Sequence, residues 1–396
     1  MLADELVAES FRFDPYSPAT DANPFPAYKR LRDEFPAFWC EEAGMWVLSR
    51  YDDILRALQD WRTYSSARGN LVDELPGRAG ATLGSSDPPR HDRLRALIQK
   101  AMLKSALTHL VDPLRASAHE LAREARERGS FDFVSDFSAR LTLDLIYALF
   151  ALPEEGGDEV RDKAVLMAQT DPVLRGKNPA QIAAYEWMAD YAGRLVEARK
   201  RNPGDDLLSN FITAEIDGEK LRDNEVQLTV TTLIMAGIES LSGFLSMLGF
   251  NLATYPEARR ALAANSELIP DAIEESLRFN TSAQRFRRAL TCDVELHGEV
   301  MKAGAFVMLC YGSANRDERK FVDPDRYDIL RKPKAHLGFG GGVHACLGSA
   351  LARLACKVAA EELLAVMPDF TLAEHDFPWL PSSNFRSPQR LLLAVR

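Results

Sequence analysis

The chain has 396 residues, 46% of them hydrophobic, and it lacks a linker rich in Pro, Gly or Ser, so we expect one large core and a single domain over residues 1–396. Its formal net charge of −10 argues against general affinity for nucleic acid or for an anionic membrane. The five cysteines are scattered and lack paired spacing, which excludes a disulfide framework or a zinc ribbon and suits a reducing cytoplasm.

The N-terminal part of the chain alternates short predicted helices and strands. The patterns predict a helix over 26–34, a β-hairpin formed by 37–40 and 45–49, and a helix over 51–60. Residues 64–86 mix Ser, Gly, Pro and charged residues with few apolar anchors. They therefore predict a long mobile loop, and a loop of that length in a compact domain is usually functional.

Residues 87–95 predict the start of a helix, and two prolines restrict the backbone where the chain enters that helix. His91 and Arg95 lie four residues apart and share one face of this helix. From the residues alone, such a pair fits a solvated basic face as well as a binding site. Residues 107–200 then read as almost wholly helical, and their last break, 170–179, could join two lid helices above a pocket.

Residues 223–254 form the longest helical pattern, and 233–253 are apolar enough to raise the question of a membrane span. Glu239 near the middle, and the absence of a second such run, favour a core helix instead. The first 15 residues lack the order of a signal peptide or anchor, so we expect no membrane association. Glu239 and Ser240 are polar groups in an apolar stretch, which indicates function, because each needs a partner or costs about 1–3 kcal/mol.

Residues 272–279 read as a helix that carries Glu275 and Arg278 three residues apart, a spacing that allows an ion pair. Taken alone, this pattern is weak, since any charged and solvated helix face supplies it. Short strands are predicted at 294–296, 299–301 and 305–311, with a last strand at 391–395.

A glycine-rich stretch from Phe339 to Gly348 delivers Cys346 to the first turn of a helix, where backbone N–H groups stabilise a thiolate. Its glycines allow the backbone to approach a flat, bulky object closely. A lone cysteine is usually a small core residue. Core packing, however, does not require Phe339, three glycines, His344 and Gly348 to coincide around it. A zinc site formed by His344 and Cys346 would lack further ligands nearby.

This stretch closely resembles the haem-ligand loop of the cytochrome P-450 monooxygenases, Phe-Gly-x-Gly-x-His-x-Cys-x-Gly, and matches it at every fixed position. The resemblance extends from about residue 20 to the C-terminus. It implies a mainly α fold with small β-sheets (α+β), the cytochrome P-450 fold, in which a triangular prism of helices surrounds a buried haem. It also implies heme b (iron protoporphyrin IX), with Cys346 as the axial thiolate ligand that favours O–O cleavage.

The resemblance assigns roles to further residues. It implies that the haem propionates are bound by four basic side chains, His91, Arg95, Arg288 and His344. Phe339 would pack near the sulfur, and the remaining cofactor contacts would come from Gly348 and Ala236. Ser240 stands where the family's oxygen-activation motif usually has Thr, and there it would donate a hydrogen bond while Glu239 relays protons. Glu275 and Arg278 resemble the family's structural ion pair.

The sequence contains no flavin or nicotinamide fingerprint and no iron–sulfur cysteine cluster, so we expect electrons to come from a separate ferredoxin or flavodoxin. A basic docking patch for that partner is predicted from Arg90, Arg93, Lys100, Lys104, Arg353 and Lys357. The expected reaction is hydroxylation or O-dealkylation of a small hydrophobic organic substrate by O2, in a cytoplasmic monomer. Two alternatives remain: a peroxide-driven haem-thiolate peroxygenase, and a haem-binding sensor or carrier without turnover.

The resemblance also indicates which segments line the substrate pocket. These are residues 71–86, 233–240, 281–286 and 382–385, whose mixture of apolar and small polar side chains suits a hydrophobic molecule. Arg68 or Arg285 could anchor a substrate carboxylate, although either could equally face water. The sequence does not identify the substrate.

Overall fold

Helices dominate the computed structural model, which describes residues 11–104, 107–153 and 156–396. In chain order the α-helices are α1 (Pro18–Ala22), α2 (Phe25–Glu34), α3 (Tyr51–Gln59), α4 (Arg90–Lys104), α5 (Val111–Arg128), α6 (Ala139–Phe150), α7 (Gly157–Ala168), α8 (Pro179–Arg201), α9 (Leu207–Thr213), α10 (Asp223–Thr254), α11 (Pro256–Ala264), α12 (Ile269–Phe279), α13 (Tyr311–Ala314) and α14 (Ser349–Val366). A π-helical segment, Phe133–Ser138, leads into α6.

The strands are short and form small sheets. They are β1 (Ala37–Cys40), β2 (Met45–Leu48), β3 (Tyr64–Ser65), β4 (Ser130–Asp132), β5 (Glu215–Ile216), β6 (Glu219–Lys220), β7 (Arg285–Leu290), β8 (Val294–Leu296), β9 (Glu299–Met301), β10 (Phe306–Cys310), β11 (Phe370–Leu372) and β12 (Leu392–Val395). The largest sheet among the described residues has the order β1-β2-β10-β7-β3, and a smaller one has the order β11-β12-β4. The predicted mainly α fold with small β-sheets is confirmed.

Helix α10 runs through the larger apolar cluster and packs against α6, α7 and α8. Its start is capped because the Glu225 carboxylate accepts a hydrogen bond from the backbone N–H of Arg222 (2.9 Å). It ends at Thr254, just before Pro256 opens α11, as predicted. Among the described residues α10 is long and apolar enough to cross a membrane, but 67% of its most apolar window is buried inside the protein. It is therefore the core helix that the sequence favoured.

The loop between β3 and α4 is more firmly packed than its composition predicts. Leu71 and Leu75 are buried in the core. The carboxylate of Glu74 accepts hydrogen bonds from the backbone N–H groups of Asn70 (2.8 Å) and Leu71 (3.2 Å). These buried side chains and hydrogen bonds hold part of the long loop predicted over residues 64–86 against the helices, and the predicted mobility of that loop stays a prediction.

Strand β7 was not predicted from the sequence. Three of its six residues are arginines, so it shows neither the apolar alternation of a half-buried strand nor the apolar run of a buried one. It nevertheless lies inside the largest sheet, antiparallel to β10 and to β3. Its arginines are accommodated because Arg285 and Arg287 donate to backbone carbonyl groups of neighbouring segments, and Arg288 donates to the carbonyl of Arg287.

Candidate active site

The glycine-rich loop folds back on itself and directs Cys346 into a cavity. The backbone N–H of Cys346 donates to the carbonyl of Phe339 (2.9 Å), which closes the loop. Cys346 is exposed to this cavity and lines its wall. Helix α14 begins only at Ser349, so the cysteine precedes the first helical turn instead of lying within it. Burial raises the pKa of its thiol, although the backbone N–H of Gly348 acts in the opposite direction.

Gly342 fixes the position of this loop against α3. Its φ is +62°, in the left-handed region, and a β-carbon at this position would overlap the backbone carbonyl of Leu58. We expect Gly342→Ala to destabilise the folded protein by about 3 kcal/mol and to lower the haem content of purified protein, because the Leu58 backbone cannot yield without moving α3. Thermal unfolding and haem absorbance per polypeptide measure both effects.

Gly176 provides the control for that substitution. A β-carbon there would lie 3.8 Å from the nearest atom, the carbonyl oxygen of Leu174, which is an ordinary contact. Gly176→Ala should therefore retain the wild-type melting temperature and haem content. A Gly342→Ala protein that matched this control in both measurements would contradict the prediction.

Four basic side chains meet beside the Cys346 loop, as the resemblance predicted. The rings of His91 and His344 lie 4.5 Å apart, and Arg95 Nη1 donates to the carbonyl of Ala345 (3.0 Å). Burial, together with the positive charge of Arg288, His91 and Arg95, lowers the pKa of His344 to about 2. The Nε2 atoms of His91 and His344 are buried without a hydrogen-bond partner. Among the described residues, these two ring nitrogens are therefore the atoms of the cluster that still need a partner.

On another wall of the cavity, the centre of α10 presents Ala236, Glu239 and Ser240. Glu239 is buried, and this burial raises the pKa of its carboxyl group to about 7. The Ser240 hydroxyl donates to the backbone carbonyl of Ala236 in its own helix. Gly237 lets α6 approach, because a β-carbon there would lie 2.5 Å from Ile146 Cδ1. The acid and the hydroxyl thus face the same space as Cys346.

Glu275 and Arg278 form a bidentate ion pair in α12, in which the Nε–Oε2 and Nη2–Oε1 distances are both 2.8 Å. Both side chains are fully buried, so the solvated pair that the pattern alone would favour is wrong. Arg278 also donates to the carbonyls of Asn315 (2.9 Å) and Pro324 (2.8 Å), and Arg331 donates to Glu275 (3.2 Å). The pair therefore fastens α12 to the irregular segment that leads to the cysteine loop.

All four predicted pocket segments contribute to the cavity wall. Each segment places at least one apolar side chain in the wall, for example Leu71, Leu233, Phe286 and Phe385. The sequence did not single out a further set of apolar side chains in the cavity wall, which come from α6, α7 and α9: Leu145, Leu149, Phe150, Met167 and Leu207. Apolar residues of an amphipathic helix recur every three to four positions whether they face the core or a cavity. No sequence signal therefore marked these residues as part of the cavity wall.

The two arginines considered as carboxylate anchors do not line this cavity. Arg68 donates to the carbonyl of Gly304 (2.8 Å) at the surface. Arg285 is buried but donates to the carbonyl of Ser383 (2.7 Å). The cavity wall instead contains two basic side chains that the sequence analysis did not single out, Arg78, which lies within the predicted segment 71–86, and Lys177.

A family model described as Cytochrome P450 matches residues 19–367, which is most of the chain. The chain belongs to the cytochrome P450 family. It is 35% identical to nocardicin C N-oxygenase of Nocardia uniformis, over 92% of this chain and 94% of that protein. It is 33% identical to the methyl-branched lipid omega-hydroxylase of Mycobacterium tuberculosis, over 88% of this chain and 86% of that protein.

Solved structures agree with this assignment. The structure of cytochrome P450 CYP109Q5 from Chondromyces apiculatus superposes with a TM-score of 0.87 at 31% identity, covering 97% of this chain and 98% of that chain. The predicted cytochrome P450 fold and the enzyme class, a haem-thiolate monooxygenase with bacterial relatives, are therefore confirmed.

The residues around the cavity fit the haem that a cytochrome P450 uses. A haem carries two carboxylates, and the basic cluster offers arginine donors and the two unpartnered imidazole nitrogens of His91 and His344. Arg95 and Arg288 form no ion pair with a carboxylate among the described residues, so their charge is available to such a ligand. The zinc alternative has no ligand set, because the described residues contain no group of three or more His, Cys, Asp or Glu side chains suited to a metal ion.

A buried polar network joins three segments around the cavity of this P450. The Asp73 carboxylate, in the loop before α4, pairs with Lys177 Nζ (3.0 Å) and accepts hydrogen bonds from Thr170 Oγ1 (2.7 Å) and Ser383 Oγ (2.8 Å). Thr170 and Lys177 lie in the connection between α7 and α8, and Ser383 lies in the turn before β12. The side chains of Asp73 and Lys177 are 1% and 5% exposed, so this network holds the three segments together away from solvent.

Most cations of the predicted docking patch are already paired. Arg93 lies 3.1 Å from Glu225, and Arg353 lies 2.6 Å from Glu274. The side chain of Lys104 lies outside the described residues. Nearby carboxylates therefore offset part of the positive charge of this surface, and the docking of an acidic partner there stays a prediction.

Proposed function

We propose that this P450 holds heme b through the sulfur of Cys346 and inserts one oxygen atom from O2 into a small hydrophobic organic substrate. The observation that carries this proposal is that Cys346, the acid–hydroxyl pair of α10 and an apolar wall all face one cavity. The bound haem supplies oxygen binding and O–O cleavage, favoured by thiolate ligation. Electrons come from a separate ferredoxin or flavodoxin, and the chain acts as a single cytoplasmic, monomeric domain.

In this proposal the chain's own residues bind the cofactor and tune its ligand. His91, Arg95, Arg288 and His344 hold the propionates. The guanidinium of Arg353 stacks 4.6 Å from the ring centroid of Phe339, which lines the same cavity as Cys346 and would shield the thiolate from water. The Gly348 backbone N–H stabilises the thiolate form of Cys346. Gly348 and Ala236 leave room beside the cofactor.

Glu239 and Ser240 handle protons at the wall of the cavity that α10 forms. With a pKa of about 7, the Glu239 carboxyl can both hold and release a proton near neutral pH, which is the property of an efficient relay. The Ser240 hydroxyl donates to Ala236 and must turn about χ1 to donate into the cavity. Serine lacks the β-branch that would restrict this rotation.

A Ser240→Thr variant tests that orientation. Because threonine keeps the hydroxyl and stiffens χ1, we expect more product for each NAD(P)H consumed than in the wild type, by about twofold. The measurement compares product and NAD(P)H in parallel assays with a surrogate redox chain. Unchanged coupling would count against a role for side-chain rotation at this position.

A Glu239→Gln variant tests the relay and its acidity. Since burial raises the folded-state pKa from 4.5 to about 7, the folded protein binds the proton more tightly than the unfolded chain, and stability should fall as pH rises through this window. The variant lacks that fall, so its stability relative to the wild type should be greater at about pH 8 than at about pH 5. Oxygen-dependent turnover should slow while haem content stays the same. Wild-type turnover would remove Glu239 from the mechanism.

The proposed reaction class is tested on purified wild-type protein expressed with ample haem. A thiolate-type Soret band in the reduced, carbon monoxide-bound state should appear, together with substrate-dependent NAD(P)H consumption through a surrogate redox chain. Turnover sustained by hydrogen peroxide alone would indicate the peroxygenase, and haem binding without any turnover would indicate the sensor or carrier. The apolar wall supports a hydrophobic substrate, as does the similarity to an enzyme named for a methyl-branched lipid.

A further inference from the structure

The apolar cavity contains one polar corner, which is formed by the loop between β3 and α4. Arg78 is 2% exposed and lines the cavity. Its Nη1 atom donates to Glu74 Oε1 (2.5 Å), but its Nε atom is buried without a hydrogen-bond partner. A buried arginine nitrogen with no acceptor is unusual in a folded protein and indicates a missing partner.

Asn70 presents a second unpaired atom in the same corner. Its side-chain Oδ1 is buried without a partner, and the residue also lines the cavity. The backbone N–H of Asn70 donates to Glu74 Oε2 (2.8 Å), so Asn70 and Arg78 are attached to the two oxygens of one carboxylate. One donor and one acceptor therefore belong to residues bound to the same carboxylate in the cavity wall, and neither atom has a partner.

Lys177, the other missed basic residue, does not share this property. Its ammonium group pairs with Asp73 (3.0 Å) and donates to the carbonyls of Met167 (2.8 Å) and Gln169 (2.5 Å). An ammonium group has three protons, and all three are used. Lys177 is thus part of the protein's own network, whereas Arg78 and Asn70 are not satisfied by it.

We propose that Arg78 and Asn70 form a subsite for a neutral polar group of the substrate, a hydroxyl or a carboxamide, at a distance from the oxidised carbon. Such a group accepts from Arg78 Nε and donates to Asn70 Oδ1. A carboxylate fits less well, because Glu74 already compensates Arg78 and the new charge would be buried beside that carboxylate. This inference rests on the proposed function and adds the substrate class: an apolar molecule with one polar end.

The subsite gives the enzyme a means of regioselectivity. Cys346 and the two polar side chains belong to the same cavity, so anchoring one end of the substrate restricts which carbons reach the haem. Apolar walls alone discriminate weakly between similar hydrocarbon positions, whereas buried groups that require a partner discriminate strongly.

Isothermal titration calorimetry on the haem-loaded enzyme tests the subsite without relying on turnover. The ligands share one medium-chain hydrocarbon body that ends in a hydroxyl, a methyl ether or a carboxylate. We expect the alcohol to bind most tightly, because the ether cannot donate to Asn70 and the carboxylate is repelled by Glu74. Equal affinity for all three ligands, or a preference for the carboxylate, would overturn the proposal.

Two variants assign the effect to the two residues. Asn70→Ala removes the acceptor without removing a charge, so alcohol and ether should bind with the same affinity. Arg78→Met should weaken alcohol binding by roughly tenfold to a hundredfold. Because that change leaves Glu74 unpaired, the double variant Glu74→Gln/Arg78→Met is measured as well, and it should show the same loss. Wild-type affinity for the alcohol in Asn70→Ala and in the double variant would refute the subsite.

Arg62→Met is the matched control, since Arg62 is an exposed arginine near the same loop that stacks on Trp61 outside the cavity. It should keep the ligand preference of the wild type. The carbon monoxide spectrum, recorded on every sample, separates the two hypotheses. A thiolate band without ligand preference rejects only the subsite, whereas a missing band in the wild type rejects the proposed function.

Discussion

Replacing Cys346 by alanine is expected to abolish the thiolate-type Soret band of the reduced, carbon monoxide-bound protein and to lower turnover by more than about a thousandfold. The physical reason is that no other described cysteine lines the cavity, so nothing replaces the thiolate. Difference spectra and product formation with a surrogate redox chain measure the two effects. The fold should persist, because Cys346 is exposed to the cavity and anchors no part of the core.

Cys292→Ala is the control for this experiment, since Cys292 is an exposed cysteine outside the cavity. It should retain both the band and the activity. A Cys346→Ala protein that kept the thiolate band would require another ligand and would remove the basis of the proposed function.

Glu275→Ala is expected to be the most destabilising of the substitutions considered, lowering the free energy of unfolding by about 3–5 kcal/mol. It leaves the guanidinium of Arg278 fully buried without its counter-charge. Arg278 could not move into water, because it also holds the carbonyls of Asn315 and Pro324. Urea unfolding monitored by circular dichroism gives the loss, and low expression with poor haem retention would accompany it.

Glu34→Gln is the comparison, because Glu34 pairs with Arg30 on the surface of α2, where both side chains are about half exposed. It should leave the free energy of unfolding unchanged within experimental error, because an exposed ion pair contributes little to stability. The double variant Glu275→Leu/Arg278→Met should recover part of the loss, since it leaves no unpaired charge. A Glu275→Ala protein as stable as Glu34→Gln would show that the buried pair does not support the fold.

The contrast between α10 and α12 shows what local sequence can reveal. The bounds of α10 were predictable because its apolar run and the following Pro256 are local signals. The burial of Glu275 and Arg278 was not, because their partners lie 37 to 56 residues further along the chain. Strand β7 was missed for a related reason. The carbonyl groups that accept hydrogen bonds from Arg285 and Arg287 lie far away in the sequence, so a local pattern cannot show these acceptors.

The residues of the candidate site also differ in how well local sequence predicts them. The residues around Cys346 were predicted because the motif is contiguous, and His91 and Arg288 followed only from the resemblance. Arg78 and Asn70 lie in a loop without periodicity, where the Glu74 carboxylate accepts from the Arg78 side chain and from the backbone N–H of Asn70. Composition shows which residues such a loop contains, but only tertiary structure shows which of them face the cavity.

The buried network around Asp73 has a consequence for how molecules enter and leave. If the connection between α7 and α8 moves away from the loop before α4, Lys177 and Asp73 must part, and both charges lose their partner at once. Separating these two segments would therefore require breaking a buried ion pair as well as parting apolar surfaces. We expect ligand exchange to be slow, because its rate would be limited by how often the Asp73–Lys177 ion pair opens and not by the affinity of the ligand.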